Sequence, residues 1–211
     1  MNIQKFTFNP FQENTYVIYH KNKCIIIDPG CYTIEEEEIL QGFIEKNTLE
    51  PIKILNTHAH IDHILGNQFV AEKWNIDIFM HKYDMPILEN ARKTAEMYGL
   101  TQYKTSPLPK YFLDEQDIID FEGTKLNIFF TPGHSPGHIC FYNKSSNILI
   151  SGDVIFKNSI GRTDLPGGDY TTLMNSITSK ILCLPETTSI FCGHGDVTNI
   201  ADEKKYNPFL Q

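Results

Sequence analysis

The segment Thr57-His58-Ala59-His60-Ile61-Asp62-His63 sets three imidazoles and a carboxylate within six consecutive residues, and isolated elements farther along offer the partners this block lacks. These are His134 in Pro132-Gly133-His134-Ser135-Pro136-Gly137-His138, Asp153 in Ser151-Gly152-Asp153, and His194 in Gly193-His194-Gly195. Together they make seven nitrogen or oxygen donors and no thiolate. Such a set suits two divalent first-row ions, zinc first, with iron or manganese as alternatives. Two histidines spaced H-x-H on extended or looping backbone point the same way and seize one ion, while the Asp-His pair that follows, on a turn entering a helix, faces a neighbouring ion. A metal pair of this kind is hydrolytic machinery more often than structural support.

The neighbouring residues are read one by one. Asp153 follows Gly152 directly after an apolar strand, so its carboxylate emerges at the sheet edge, where it can bridge two ions. Asp62 is read as a ligand, with a proton shuttle as the other role open to a carboxylate beside two cations. His20, His81 and His138 lack companion ligands and are read as core or surface residues; His138, sharing a loop with His134, starts a strand or supports the ligands from behind. Asp28, before Pro29-Gly30, is read as a turn residue, and orienting a ligand histidine is its alternative. Cys192 lies two positions before His194 and so on the same side of a strand, yet a thiol buried under the site is expected. Arg162, in Gly161-Arg162-Thr163-Asp164, is either an anchor for a substrate carboxylate or, the preferred reading, half of a structural ion pair.

The elements that must hold these groups are legible as periodicity and punctuation. Ile3 to Phe8, Thr15 to Tyr19 and Lys23 to Ile27 read as strands stopped by Asn9-Pro10, Lys21-Asn22-Lys23 and Asp28-Pro29-Gly30. Thr33 reads as the N-cap of a helix whose first turns carry the solvated run Glu35 to Glu38 and whose apolar stripe is Ile39, Leu40, Phe43 and Ile44. Pro51 to Leu55 is a short buried strand that delivers the histidine block at its C-terminal end, with Ile64 to Trp74 helical after it; chemistry in layered α/β folds sits in such loops. Asp77 to Met80 reads as a strand, and Tyr83 to Tyr98 as a helix ended by Gly99. Leu100 to Gln116, with Pro107 and Pro109, is a candidate substrate-facing loop or an ordinary surface connection. Leu126 to Phe130, Ile139 to Tyr142, Ile148 to Ile150 and Ser189 to Cys192 read as strands, and Thr171 to Leu184 as a helix. Two sheets packed together with helices outside account for this order, and so does one doubly wound sheet.

Bulk properties narrow the class. The 211 residues, 41% of them apolar, suit one sizeable core, and a single domain spanning 1–211 is expected. A net charge of -8 without a Lys/Arg block argues against nucleic acid or an anionic membrane as partner and favours a small soluble substrate. The first residues show no signal-peptide pattern, no run reaches the length of a membrane span, and the five cysteines are odd in number and scattered. A cytoplasmic protein with reduced thiols is therefore expected.

With these motifs assembled, the chain resembles the metallo-β-lactamase-fold hydrolases, and most closely their single-domain glyoxalase II-like (hydroxyacylglutathione hydrolase-like) branch. The resemblance rests on the H-x-H-x-D-H block, on Thr131 to Gly137, on Ser151 to Phe156 followed by Ile160 to Gly168, on Cys192-Gly193-His194-Gly195 and on Asn207-Pro208-Phe209. It implies a four-layer αββα sandwich of the α/β class. It also implies that His58, His60 and His134 hold one metal, that Asp62, His63 and His194 hold the second, and that Asp153 bridges them. Because so few residues follow the last of these, no counterpart is expected for the helical C-terminal domain that contributes glutathione-binding groups in two-domain glyoxalase II, and thioester chemistry is expected rather than glutathione specificity. In the mechanism this implies, two cations at the centre built by His58, His60, Asp62 and Asp153 lower the pKa of a bridging water towards about 7. The resulting hydroxide attacks a small-molecule thioester, whose thiolate, of parent pKa about 8.5, leaves without a separate general acid. The rival expectation is a persulfide dioxygenase, which has a similar fold and motif but uses one iron on the equivalents of His58, His134 and Asp153. Nuclease and β-lactamase activities are less expected, the former because the chain is acidic. Oligomeric state is not legible.

Overall fold

The computed structural model describes residues 1–211. The chain divides into two compact units, Met1–Phe112 with Phe121–Gly123, and Leu113–Asp120 with Thr124–Gln211.

The first unit is built on a six-stranded mixed sheet in sequence order, comprising β1 (Asn2–Phe8), β2 (Glu13–His20), β3 (Lys23–Ile27), β4 (Glu50–Leu55), β5 (Ile78–Met80) and β6 (Tyr111–Phe112). β1, β2 and β3 form an antiparallel meander, and β3 to β6 run parallel. The parallel step needs a crossover, which α1 (Ile34–Lys46) supplies between β3 and β4 and α2 (Asn67–Trp74) between β4 and β5. Thr33 caps α1 as a full capping box with Glu36. Glu36 is more than a solvated residue, because its Oε1 also accepts from Asn9 N at 2.7 Å and its Oε2 from Tyr32 N at 2.7 Å. The buried face of α1 is Leu40 and Ile44 with Phe43 beside them; Ile39, expected in that stripe, is 54% exposed.

Two helices expected from the pattern start or break elsewhere. The amide of Gly66 is diverted to Pro29 O (2.7 Å), so α2 begins only at Asn67, after a tight turn at Ile61–His63. The stretch Tyr83 to Tyr98 divides into α3 (Met85–Glu89) and α4 (Ala91–Met97) because the Asn90 side chain donates to Pro86 O at 2.8 Å and competes with helix continuation. The connection after Gly99 packs into this unit through buried Leu100, Tyr103 and Ser106 before ending as the edge strand β6.

The second unit carries a sheet in the order β14-β13-β10-β9-β8-β7, formed from β7 (Ile118–Phe121), β8 (Thr124–Phe130), β9 (Ile139–Asn143), β10 (Ile148–Gly152), β13 (Ser189–Cys192) and β14 (Thr198–Asn199). A separate small hairpin, β11 (Ile155–Phe156) with β12 (Ser159–Ile160), follows β10. α5 (Tyr170–Ser176), capped by Asp169, widens into a π turn over Ile177–Ile181, and α6 (Ile200–Tyr206) follows β14. Leu173, Ile177 and Ile181 on one side and Leu149, Ile190 and Ile200 on the other meet in one dry cluster. Each such aliphatic side chain contributes roughly 1.5–3 kcal/mol on burial. No helix is long and apolar enough to cross a membrane.

Candidate metal centre

Four of the seven expected donors belong to the first unit. β4 runs parallel to β3, and Asp28 and Thr57 leave the C-terminal ends of these neighbouring strands together, with Asp28 N bonded to Leu55 O at 2.9 Å. At that end Asp28 is a hub rather than a mere turn residue. Its Oδ1 accepts Thr57 N at 2.7 Å, its Oδ2 accepts Thr57 Oγ1 at 2.6 Å, and the same Oδ2 lies 3.1 Å from His63 Nδ1. It achieves this at φ 48°, a left-handed conformation that a non-glycine residue holds only when its surroundings over-determine it.

Those contacts fix ring tautomers. A carboxylate is an acceptor only, so His63 carries its proton on Nδ1. Thr57 Oγ1 gives its own proton to Asp28 and therefore accepts from His58 Nδ1, 3.0 Å away. Both rings are thereby set to offer Nε2 as ligand atom, in the manner of metal-binding histidines held from behind. The rings of His58 and His60 lie 4.7 Å apart edge to face, those of His58 and His63 4.1 Å apart, and Asp62 Oδ2 lies 3.7 Å from His63 Nε2. Asp28, His58 and His63 also satisfy the spacing of a metal group. With Thr57 holding both of its oxygens, Asp28 orients the rings instead.

The backbone of the block is held by residues that carry no motif. Asp84 Oδ2 accepts Ala59 N at 2.7 Å, Asn9 Nδ2 donates to Asp62 O at 3.0 Å, and Asn56 Nδ2 donates to His63 O at 3.2 Å. Asn56 in turn pairs with Asn67, which donates to Ser106 Oγ at 2.9 Å. Behind His63 lies Glu13, wholly buried, its Oε1 3.9 Å from His63 Nδ1; burial pushes its carboxyl well above the usual range, against the pull of His63. His81 is buried and caps the following turn by accepting Tyr83 N at 3.3 Å.

The second unit presents the other three donors. β10 and β13 are parallel, and a bulge between Ile150 and Gly152, with Gly152 at φ 47°, turns Asp153 out of the strand. Gly193 N bonds Gly152 O at 2.8 Å, which brings His194 alongside. His134 Nδ1 donates to Arg162 O at 2.7 Å; a carbonyl can only accept, so this ring too offers Nε2. Asp153 Oδ2 lies 3.5 Å from His134 Nε2 and 3.4 Å from His194 Nε2. Ligand atoms placed tetrahedrally at about 2.1 Å from an ion are about 3.4 Å apart, so the spacing within this unit fits a divalent metal. His138, as expected of a supporting residue, accepts Asp153 N on its Nε2 at 3.1 Å and faces Thr131 Oγ1 with its Nδ1 at 3.1 Å.

The remaining candidates are placed as follows. The Arg162 guanidinium is exposed and holds Asp164 through two bonds of 2.7 and 2.8 Å, which drives that carboxyl down to about 2; the residue faces His134 with its main-chain oxygen instead. Cys192 is fully buried, and burial pushes its thiol up to about 12, so no thiolate is at hand. Sequence reasoning passed over Glu13, Asp84, Asn9 and the Arg162 carbonyl; a charged residue opening the apolar strand β2 was the only signal for any of them.

A model of the metallo-beta-lactamase superfamily matches residues 8–194. A probable metallo-hydrolase, YqgX, of Bacillus subtilis is 36% identical over 210 residues, covering 100% of this chain and 98% of its own. The hydroxyacylglutathione hydrolase GloC of Haemophilus influenzae is 36% identical with the same coverages. Among solved structures, the BLEG-1 B3 metallo-beta-lactamase superimposes with a TM-score of 0.91 at 36% identity over the full length of both chains. TTHA1623 in a di-iron-bound form gives 0.88 at 36% identity, covering 98% of this chain and 100% of its own. ETHE1 from Myxococcus xanthus gives 0.80 at 21% identity, covering 99% and 84%, a likeness of fold alone. The α/β fold expected from the motifs is the one these structures share.

Proposed function

Since the chain belongs to the metallo-beta-lactamase superfamily, whose model spans most of it, we propose that it is a two-metal hydrolase that cleaves small-molecule thioesters of the hydroxyacyl-thiol kind. In this reading His58, His60 and His134 would hold one ion, Asp62, His63 and His194 would hold the other, and Asp153 would be the donor common to both. Zinc is the first choice for this N/O set, with iron or manganese as alternatives. The observation that carries the reading is the set of acceptors behind the rings. Asp28, Thr57 and the Arg162 carbonyl commit three of the five histidines to the tautomer that ligates through Nε2, in both units. The thioester specificity leans on the full-length likeness to a hydroxyacylglutathione hydrolase, and the count of two ions on the likeness to a protein solved in a di-iron form.

Bound divalent ions supply Lewis acidity and bring the pKa of water down to near neutrality. The chain's own residues do the rest of the work by placement. Asp28 and Glu13 brace His63 from below, Asn9 and Asn56 fix the main chain on either side of it, and Asp84 fixes the turn between His58 and His60. Asp153 is held at its own amide by His138, so its carboxylate keeps one position between two imidazoles. Asp62 is a ligand in this scheme. No side chain is required to protonate the leaving group, because a thiolate departs far more readily than an amide nitrogen. Arg162, held by Asp164 through two bonds, serves as a structural pair.

The test is metal content of protein purified under air and under argon, followed by thiol release from a hydroxyacyl-glutathione thioester and from the same acyl group on a second small thiol. Two ions per chain with cleavage under argon are expected. One iron per chain with oxygen uptake on a persulfide would replace the hydrolase with the dioxygenase that uses His58, His134 and Asp153.

A further inference from the structure

The three donors of the second unit all touch one small element. Asp153 leads through Val154 into β11, and β12 leads out through Gly161 to Arg162, whose carbonyl takes the His134 proton. The two ends of the hairpin are closed on each other, Gly161 N bonding Val154 O at 3.2 Å. Gly161 is pressed so tightly into this junction that a Cβ there would lie 1.9 Å from Asp153 O and 3.2 Å from His134 Nδ1. The ring of Phe156, in β11, meets the ring of His194 edge to face at 6.1 Å. A displacement of the hairpin therefore moves the Asp153 carboxylate, the acceptor behind His134 and the wall against His194 together.

With strands of two residues each, the hairpin cannot hold itself in place. It is held at its tip. Asn158, the left-handed residue of the turn at φ 60°, donates its amide to Glu203 Oε2 at 2.9 Å. Asn207 Nδ2 donates both to that same Oε2 at 2.7 Å and to Ser159 O at 2.9 Å. Glu203 Oε1 accepts Thr198 Oγ1 at 2.6 Å. Both residues are completely buried, and Glu203 gathers three donors without a cation among them. Such a carboxylate is dedicated to ordering backbone, since an isolated buried charge is otherwise expensive.

We infer that Glu203 and Asn207 are positioning residues for the metal ligands of this unit, acting through the β11–β12 hairpin. The inference rests on the two-metal reading above and adds residues that make no contact with the donors themselves. Their chemistry also predicts which substitution is tolerated. In Glu203→Gln the amide oxygen can take over the Asn158 and Asn207 bonds, while the new N–H turns to Thr198 Oγ1, which accepts as readily as it donates. In Glu203→Ala and Asn207→Ala the turn loses its anchor.

The experiment uses the full chain with cobalt(II) as the probe, read by its visible absorption and by competition with a chromophoric chelator, alongside hydrogen exchange of the metal-free protein. Ile44→Ala, in the core of the first unit, controls for loss of stability alone. Orienting partners of metal ligands are worth 10- to 100-fold in affinity, and one step further out about tenfold is expected for Glu203→Ala and Asn207→Ala. A changed cobalt spectrum should accompany this, as should about tenfold faster exchange of the Asn158 and Gly161 amides. Glu203→Gln should stay within about twofold of the parent, and Ile44→Ala should leave spectrum and affinity unchanged. If the parent itself binds no pair of ions, the two-metal reading falls and the inference with it. If the parent binds two and Glu203→Ala matches it in affinity and exchange, or Ile44→Ala weakens cobalt equally, the inference alone is overturned.

Discussion

Asp28→Asn tests the claim that ring tautomers, set from behind, prepare the centre for metal. The substitution keeps size and shape. An amide oxygen in the Oδ1 position still accepts Thr57 N, but an N–H donor replaces Oδ2, which now receives Thr57 Oγ1 and faces His63 Nδ1. Two N–H groups then confront each other at about the 3.1 Å of the present contact, in a place with no solvent. The protein has two ways out. Either the clash stands, leaving a buried donor unmet at roughly 1–3 kcal/mol, or His63 moves its proton to Nε2 and gives up the ligand lone pair. Thr57 suffers as well, because its hydroxyl hydrogen must leave Asp28 and the acceptor within reach is His58 Nδ1. That contact would push a second ligand into the wrong tautomer. The expected loss is at the upper end of the 10- to 100-fold range for orienting partners, equivalent to about 2.7 kcal/mol of binding free energy. The melting temperature of the metal-free protein should fall only by about 2–12 °C, from 1–3 kcal/mol at about 2–4 °C for each. Competition with a chromophoric chelator gives the affinity, and a thermal melt gives the second quantity. An Asp28→Asn protein that holds its ions within about threefold of the parent would refute the tautomer argument, whatever happens to turnover.

Other substitutions probe separate contacts. Gly161→Ala places a methyl 1.9 Å from Asp153 O, where ordinary contact begins near 3.4 Å, so the carbonyl must retreat by about 1.5 Å. Overpacking of this kind costs roughly 1–3 kcal/mol, and thioester turnover should drop by about 100-fold, as for ångström-scale misplacement of a reacting group; an alanine variant with unchanged turnover would show that the junction yields without moving Asp153. Carboxyl NMR should find Asp164 titrating near 2 in the parent, and moved up towards the ordinary value of about 3.9 in Arg162→Ala, where a backbone hydrogen bond still holds it somewhat down. The folded value is depressed, so the pair is complete above the ordinary range and is lost as pH falls through it towards 2. An Arg162→Ala protein with the Asp164 value unmoved but a raised KM for acidic thioesters would return Arg162 to the role of substrate anchor. Of the five cysteines, only Cys183 is exposed. Ellman's reagent should therefore count one thiol in the native protein and five after denaturation; rapid reaction of Cys192 would contradict its burial and its thiol pushed up to about 12.

What the sequence made legible follows from what carries residue-type information. The strand before His58 announced itself as a short apolar run, and the parallel β3–β4 pair could be anticipated from a helix lying between two such runs. The loops that bear His134, Asp153 and His194 stood out because glycine and proline punctuate them. Less visible were elements whose stabilisation is not local. The hairpin at Ile155–Ile160 has strands of two residues, too short for any alternation to register, and it persists because Glu203 and Asn207, more than 40 positions away, hold its tip. The helix expected through Asn90 failed for a local reason that propensity averages conceal, namely one amide side chain bonded to Pro86 O.

The same division runs through the centre itself. Ligands are side chains and can be recognised by type, whereas the groups that commit the ligands to one tautomer need only accept a hydrogen bond, and a main-chain oxygen does that as well as a carboxylate. The two units use different solutions. In the first, His63 leans directly on Asp28 and His58 reaches the same carboxylate through Thr57. In the second, His134 leans on the neutral Arg162 carbonyl. A carboxylate partner raises the electron density of an imidazole more than a carbonyl does, so His63 is expected to be the stronger ligand and His134 the weaker. Burial pushes the Glu13 carboxyl up, so a charge on it beside His63 is disfavoured. The first unit thus places the Asp28 carboxylate behind its histidines as well as Asp62 among the donors. The second has its carboxylate, Asp153, among the donors alone, where the spacing to His134 and His194 is nearly equal. That placement is what a bridging carboxylate requires.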